Sequence, residues 1–304
     1  MDTRLLRTFA VLARTGSFTA AAAELHLAQS TVTVQIRALE KELGAPLFDR
    51  LPRGALVTGA GRRLLAEAER VLEAEARLRS VAAAEGPVAG RVAVGAGETM
   101  CAARLPGVVA ALRRRHPEVD VDLRPVGTAA AVEGLRAGEL DLALLLEEEV
   151  DVPDVVVKRL GREALVLVCA PDHPLAARRD STATWAELAQ ESFFLHEQGC
   201  SYSDRLARQL SAAGEAPTRL TRFGSIEAAR SCVAAGLGLT VLPRVTVRAA
   251  LDEGRLAVVA GPPLPDVPVQ LARHRRRWVS PAVQAVVDEL KQHFPAEPPR
   301  SRAS

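Results

Sequence analysis

Residues 17–61 constrain this chain more than any other stretch: they read as a helix, a tight turn, a second helix rich in hydroxyls and amides, and a basic hairpin. Ser17 is placed to cap the first helix, and the alanines at 20–23 keep its side chains small, so a second helix can cross close by. In that second helix Val32, Ile36 and Leu39 are spaced four and three apart and share one inward face. Gln29, Ser30, Thr31, Thr33, Val34 and Arg37 then fall on outward or oblique faces of its N-terminal half. With no acid before Glu40, that face suits phosphates and base edges in a major groove. Any amphipathic helix pair has polar outer faces, so the helices by themselves leave DNA binding open.

The next segment narrows the choice. Leu47-Phe48-Asp49-Arg50-Leu51-Pro52-Arg53-Gly54 and Ala55-Leu56-Val57-Thr58 predict a short hairpin with Arg50 and Arg53 at its tip, and Gly54 permits the turn. Arginines on a protruding ribbon beside a recognition helix are suited to a minor groove. The pattern is that of a winged helix-turn-helix.

Residues 1–84 resemble the DNA-binding half of the LysR-type transcriptional regulators. The matching motifs are Leu5-Leu6-Arg7-Thr8-Phe9, Gly16-Ser17-Phe18-Thr19-Ala20-Ala21-Ala22 and Gln29-Ser30-Thr31-Val32-Thr33. They continue with Ile36-Arg37-Ala38-Leu39-Glu40-Lys41-Glu42-Leu43-Gly44, Leu47-Phe48-Asp49-Arg50 and Thr58-Gly59-Ala60-Gly61. Gly59 departs from the family, which usually has proline there.

Charge and composition agree with a nucleic-acid module on a near-neutral body. The chain has 304 residues, 48% of them hydrophobic, enough for two or three domains with real cores. Of its net charge of +2, residues 1–64 contribute +4 and the rest −2. The apolar stretch at residues 9–13 is short and ends at Arg14, so no signal peptide is expected. No apolar run reaches the roughly 18 residues of a membrane span. Cys101, Cys169, Cys200 and Cys232 are scattered, unlike a zinc knuckle or a secreted disulfide framework. A soluble, cytoplasmic protein is the expectation.

Residues 61–84 lack proline and internal glycine and predict one long helix. Leu64, Leu65, Ala68, Val71, Leu72, Leu78 and Val81 form its stripe, interrupted by Glu75. Such a stripe packs on its own domain or on a second copy, and a helix this long between two domains favours the second. The family resemblance implies the same pairing.

Glu85-Gly86-Pro87 breaks the helix, residues 88–91 form a hinge, and strands and helices then alternate. Strands are expected at 92–95, 119–126 and 140–146, with helices at 102–115 and 128–137, an α/β unit with a parallel sheet. A second unit has strands at 165–169, 192–195, 219–223 and 239–242 and helices at 185–188, 201–213, 225–235 and 245–251. The chain crosses back near Gly261-Pro262-Pro263 to a strand at 267–272 and a last helix at 281–294. The expected organisation is a winged helix-turn-helix at 1–60, a linker and dimerisation helix at 61–85, and an effector-binding domain at 91–295. Its first lobe is 91–162 with 267–295 and its second 163–266, before a disordered tail at 296–304.

Two α/β lobes joined by two crossovers resemble the periplasmic-binding-protein-like effector domain of the same family. The motifs are Leu135-Arg136-Ala137-Gly138-Glu139-Leu140-Asp141-Leu142-Ala143, Ala170-Pro171-Asp172-His173-Pro174-Leu175, Val233-Ala234-Ala235-Gly236-Leu237-Gly238-Leu239, Leu242-Pro243 and Trp278-Val279-Ser280-Pro281. The resemblance implies a dimer or a tetramer on promoter DNA, a small-molecule effector, RNA polymerase as a further partner, and no resident cofactor or metal.

An effector between lobes should sit at strand carboxyl ends near helix N-termini, which favour anions. Loops at 97–100, 127–128, 197–203 and 224–225 qualify. Thr99, Thr128, Ser201 and Ser225 match the family's pocket, with Met100 and Cys200 beside them, although each hydroxyl could be a plain cap. Glu98 and Glu197 argue against a simple carboxylate ligand, since two acids would repel it unless paired. Cys200 lies where the family's peroxide-sensing branch carries its reactive thiol, which leaves a redox sensor as an alternative. No resolving cysteine follows in 201–213, so a pocket-lining thiol is the preferred reading.

Enzymatic readings find little. Gly95-Ala96-Gly97 lacks the third glycine of a dinucleotide fingerprint, where Met100 stands. No Gly-x-Ser-x-Gly elbow or phosphate loop occurs. His196-Glu197 has Cys200 where a zinc-protease helix needs its second histidine, and the six histidines form no metal-ligand spacing. Arg273-His274-Arg275-Arg276-Arg277 reads as a solvated edge. The other alternative is a small-molecule-binding or enzymatic α/β protein with a helical appendage.

Overall fold

The first helix, α1 (Thr3–Thr15), buries Leu6, Thr8, Phe9 and Leu12 on one stripe and ends at Gly16, whose φ of 63° is a left-handed conformation that glycine adopts without strain. In the computed structural model, which describes residues 2–51, 54–82, 87–178, 181–196, 199–213 and 219–294, two units separate, Met1–Gly86 and Pro87–Ser304. No described helix is long and apolar enough to cross a membrane.

In the first unit, Ser17 caps α2 (Phe18–Leu25) by accepting from the Ala20 N–H, and α2 buries only Ala21 and Ala22. The small face lets α3 (Gln29–Leu43) approach, with Val32, Ile36 and Leu39 fully buried. A hairpin of β1 (Phe48–Leu51) and β2 (Gly54–Val57) follows, and the Phe48 ring meets Phe9 edge-on at 5.5 Å between centroids. Glu40 ties α3 to this hairpin, its carboxylate accepting from the Leu47 and Phe48 N–H groups at 2.9 and 3.3 Å.

In helix α4 (Gly59–Ala82) the expected stripe divides within the single chain. Ala68 is buried in the core of its own unit, and Leu64, Leu65 and Leu72 pack against that core. Glu75 also turns inward, 3.3 Å from the Arg7 guanidinium on α1. Val71 and Leu78 are exposed, Leu78 at 73%. The physical reason is the period: in a straight helix the heptad row Leu64, Val71, Leu78 drifts by about 20° per step and leaves the face that meets α1.

The second unit holds two lobes. Lobe I is a five-stranded sheet in the order β4-β3-β5-β12-β6, formed by β3 (Gly90–Ala96), β4 (Val119–Pro125), β5 (Leu142–Leu146), β6 (Val155–Glu163) and β12 (Val267–His274). Alternation along β3 sends Val92, Val94 and Ala96 to one apolar layer and Ala93 to the other. The first layer is closed by α5 (Glu98–Ala103), α6 (Leu105–Arg115) and α12 (Pro281–His293), the second by α7 (Thr128–Ala137). Gly95 packs closely, since a Cβ there would lie 2.5 Å from the Leu140 side chain and force it to shift.

Lobe II has the sheet β10-β7-β11, from β7 (Leu165–Cys169), β10 (Thr240–Pro243) and β11 (Ala257–Val258), and the parallel pair β8 (Ser192–His196) and β9 (Arg219–Phe223). Its helices are α8 (Trp185–Leu188), α9 (Ser201–Ala213), α10 (Ile226–Ala234) and α11 (Arg244–Asp252).

Four readings of the sequence are corrected. The sheet of lobe I is mixed: β3 pairs in parallel with β4 and β5, whereas β12 returns antiparallel to β5 and β6. Strand β6 was not expected, because Lys158 and Arg159 on this edge strand break the apolar run. The helix expected at 102–115 is two helices meeting at Arg104, because Glu98 opens a turn of its own and Pro106 starts the next. Arg277 is also no solvated edge, since its guanidinium lies 3.3 Å from Asp141 and donates to the Gly138 and Leu140 carbonyls. The tail expected at 296–304 lies outside the described residues.

Candidate functional site

The outward face of α3 is built as the sequence spacing requires. Gln29, Ser30, Val34 and Arg37 are exposed, with Val34 at 63%, while Thr31 and Thr33 are half-buried. The Thr33 hydroxyl donates to the Gln29 carbonyl one turn earlier and keeps its lone pairs for a further donor. Gln35 faces inward, where its amide oxygen accepts from the Thr8 hydroxyl. The N-terminus of α3 has no side-chain cap and no acid in its first turn, so its N–H groups and positive dipole stay open to a phosphate. Exposed Val34 offers an apolar contact of the kind that reads a thymine methyl. Arg50 lies in β1, and Arg53 falls outside the described residues.

The second site is a cavity of about 370 Å³ between the lobes, within the size range of small-molecule pockets. Lobe I supplies Glu98, Thr99, Thr128 and Glu147; lobe II supplies His196, Cys200, Ser201 and Tyr202. Four helix starts surround it. Strand β3 delivers Gly97, the N-cap of α5, and β4 delivers Gly127, the N-cap of α7, neither with a capping side chain. The first residue of α9 is Ser201, and that of α10, Ile226, lines the wall.

Polar groups cross between the lobes around the cavity. The Ser201 hydroxyl donates to the Leu146 carbonyl at the end of β5. The Glu98 carboxylate accepts from the Ile226 N–H at 2.8 Å and the Ser225 hydroxyl at 3.2 Å, and lies 3.5 Å from His196 Nε2. Thr99, only 3% exposed, shares a side-chain hydrogen bond with Tyr202. Burial holds the Tyr202 phenol well above its ordinary pKa, the neighbouring Cys200 adds to the rise, and the Thr99 hydroxyl opposes it.

Of the six residues expected at the pocket, Thr99, Thr128, Cys200 and Ser201 line the cavity. Met100 does not: it is fully buried in the core of lobe I, because the first turn of α5 points it at the sheet. Ser225 sits behind Glu98, to which it donates, and contributes through that contact. Glu197 lies outside the described residues. Cys200 is half-buried, and all four cysteines are free thiols. Among the described residues, no group of three or more His, Cys, Asp or Glu is arranged to hold a metal.

Sequence reasoning missed Glu147, His196 and Tyr202. Glu147 directly follows the buried run of β5 and so stands at a strand's carboxyl end, where open α/β sheets place ligands. Its carboxylate accepts from the Thr128 hydroxyl at 2.7 Å, and the Ser201 hydroxyl also lies against it. Burial pushes the Glu147 carboxyl above its ordinary pKa, and those two hydroxyls pull it back in part.

Comparison with known proteins covers both units. The model for the bacterial regulatory helix-turn-helix protein, lysR family, matches residues 3–62, and that for the LysR substrate binding domain matches residues 85–295. YwqM of Bacillus subtilis, an HTH-type transcriptional regulator, is 32% identical over 295 residues, covering 97% of this chain and 100% of that protein. CbbR of Xanthobacter flavus, also an HTH-type transcriptional regulator, is 34% identical, covering 95% of this chain and 87% of that protein. Among solved structures, full-length OxyR from Pseudomonas aeruginosa is similar with a TM-score of 0.75 at 28% identity, over 97% of this chain and 94% of that one. Full-length CbnR complexed with its target DNA is similar with a TM-score of 0.63 at 26% identity, over 96% of this chain and 100% of that one.

Proposed function

The chain belongs to the LysR family of transcriptional regulators, and from that premise we propose that α3 reads promoter DNA in the major groove while a small molecule between the lobes sets the regulatory state. Gln29, Ser30, Thr31, Thr33, Val34 and Arg37 contact bases or nearby phosphates, and Arg50 and Arg53 hold the wing in an adjacent minor groove. A second copy pairs along α4 through Val71 and Leu78, and two such dimers form a tetramer. The protein acts in the cytoplasm without a resident cofactor or catalytic step, and RNA polymerase responds to the promoter geometry it sets.

The observation that carries effector control is the cavity itself, whose wall is shared by both lobes. A ligand touching Thr128 and Ser201 together binds the closed arrangement better than an open one, and that difference shifts the population. Ser201→Ala removes a bond between the lobes and Thr128→Val a hydroxyl at nearly constant volume. Each should raise the half-maximal effector concentration about ten- to a hundred-fold, the worth of one hydrogen bond to a charged group. Basal operator binding should stay within twofold. Effector titrations of a promoter reporter check this, and wild-type midpoints in both variants would refute the cavity assignment.

DNA reading has its own test, the selection of preferred duplexes from a random pool by the full chain. Gln29→Ala should relax one position of the selected motif, with about 1–3 kcal/mol of discrimination lost there. Arg50→Ala should weaken all duplexes alike and flatten the salt dependence by about one phosphate contact. An unchanged motif in Gln29→Ala would remove that residue from the reading face.

A further inference from the structure

The charges around the interlobe cavity are one-sided. Among the described residues no lysine or arginine lines it; its carboxylates are Glu98 and Glu147, and its other ionisable groups are His196, Cys200 and Tyr202. The nearby arginines are committed elsewhere: Arg205 pairs with Glu148 at 2.8 Å and donates to the Pro265 carbonyl, and Arg222 pairs with Asp204 at 2.8 Å and donates to the His196 carbonyl.

The two carboxylates stand where an anionic ligand would otherwise go. Glu98 already takes the first N–H of α10 and lies beside His196, whose charge, when protonated, it neutralises. Glu147 faces the first residues of α7 and α9 through Thr128 and Ser201. The α10 N-terminus is thus served by the Glu98 carboxylate, while Glu147 holds the hydroxyls of the residues that open α7 and α9. A ligand carboxylate in this cavity would meet two like charges at low dielectric. A ligand ammonium would pair with Glu147 and find the Thr128 and Ser201 oxygens and the Leu146 carbonyl as further acceptors. The raised pKa of Glu147 is the mark of a buried carboxyl without a cation beside it.

We propose that the interlobe cavity is a cation site, taking a small ammonium-bearing effector with Glu147 as its counter-ion, while Glu98 serves the contact between lobes. The inference rests on the reading of this cavity as the effector site.

The test is calorimetry and thermal melting of the full chain with pentylamine, cadaverine, pentanoate, glutarate and pentanamide, which share a five-carbon skeleton and differ in charge. Amines should bind and raise the melting temperature while carboxylates do neither. Glu147→Gln, which preserves shape, should weaken amine binding about tenfold or more, and Glu147→Asp should retain part of it. Carboxylate binding equal to amine binding, or amine binding untouched by Glu147→Gln, overturns the charge assignment. If a carboxylate or the amide binds and Ser201→Ala weakens it, the cavity remains the effector site and the cation inference alone falls. Silence from all five compounds overturns the inference as well, and the reporter titrations of Ser201→Ala and Thr128→Val then decide the cavity independently.

Discussion

Leu72→Glu and Leu78→Glu should fail in different ways, although both place a carboxylate on the same helix. Leu72 packs against the core of the DNA-binding unit beside Leu64, Leu65 and Ala68. A charge there is forced out of an apolar layer, which costs several kcal/mol, so this unit should lose its cooperative melting. Leu78 is 73% exposed on α4 and lies outside the described core of that unit, so within one chain its replacement leaves that core intact. Surface changes of that kind usually stay within about 0.5 kcal/mol. In a dimer pairing along α4 the same carboxylate sits unpaired in an apolar seam, at a cost of several kcal/mol to association. Leu78→Glu should therefore melt like wild type but sediment as a monomer at micromolar concentration, with operator affinity falling in step. An unchanged mass would show that α4 is not the seam.

The contrast marks how far the sequence could be read. The helix-turn-helix was legible because its determinants are local: the Ser17 cap, the buried pair Ala21 and Ala22, and the inward row of Val32, Ile36 and Leu39. The stripe on α4 was legible as a stripe but not by face, since Leu72 and Leu78, six residues apart, point about 120° away from each other around the helix. Edge strand β6 was hidden because Lys158 and Arg159 dilute its apolar pattern and its partner β12 lies about a hundred residues away, a pairing with no local signature.

The cavity divides along the same line. Thr128 and Ser201 were found from their places at helix starts, which is a local property. Glu147 and His196 were missed because their roles exist only once the lobes meet, where Glu147 finds Ser201 and His196 finds Glu98. Met100 was misplaced by one residue's worth of helical rotation: beside Thr99 in sequence, it points into the sheet.

Arg104→Ala should produce the largest loss of stability among the single changes considered for the effector-binding unit. Arg104 is the joint between α5 and α6, and its guanidinium grips the Glu163 carboxylate through two bonds, Nε to Oε1 at 2.6 Å and Nη2 to Oε2 at 3.0 Å. It also lies over the Phe294 ring, 5.6 Å from the centroid. Glu163, at the end of β6, is 3% exposed, so truncating its partner strands a charge inside lobe I. Breaking a buried pair this way costs about 3–5 kcal/mol, and the lower end applies because the arginine side is 37% open and lets water in. At roughly 2–4 °C per kcal/mol for a unit of this size, the melting temperature should fall by about 6–12 °C. Adding Glu163→Gln should recover most of the loss, since the stranded charge is then gone. A fall below about 2 °C, or a double variant no more stable than the single one, would show that the pair does not secure this joint. The consequence reaches the cavity, because α5 carries Glu98 and Thr99 into it. With the joint loosened, Glu98 holds the Ile226 N–H less firmly, and effector affinity should drop even at temperatures where the unit is fully folded.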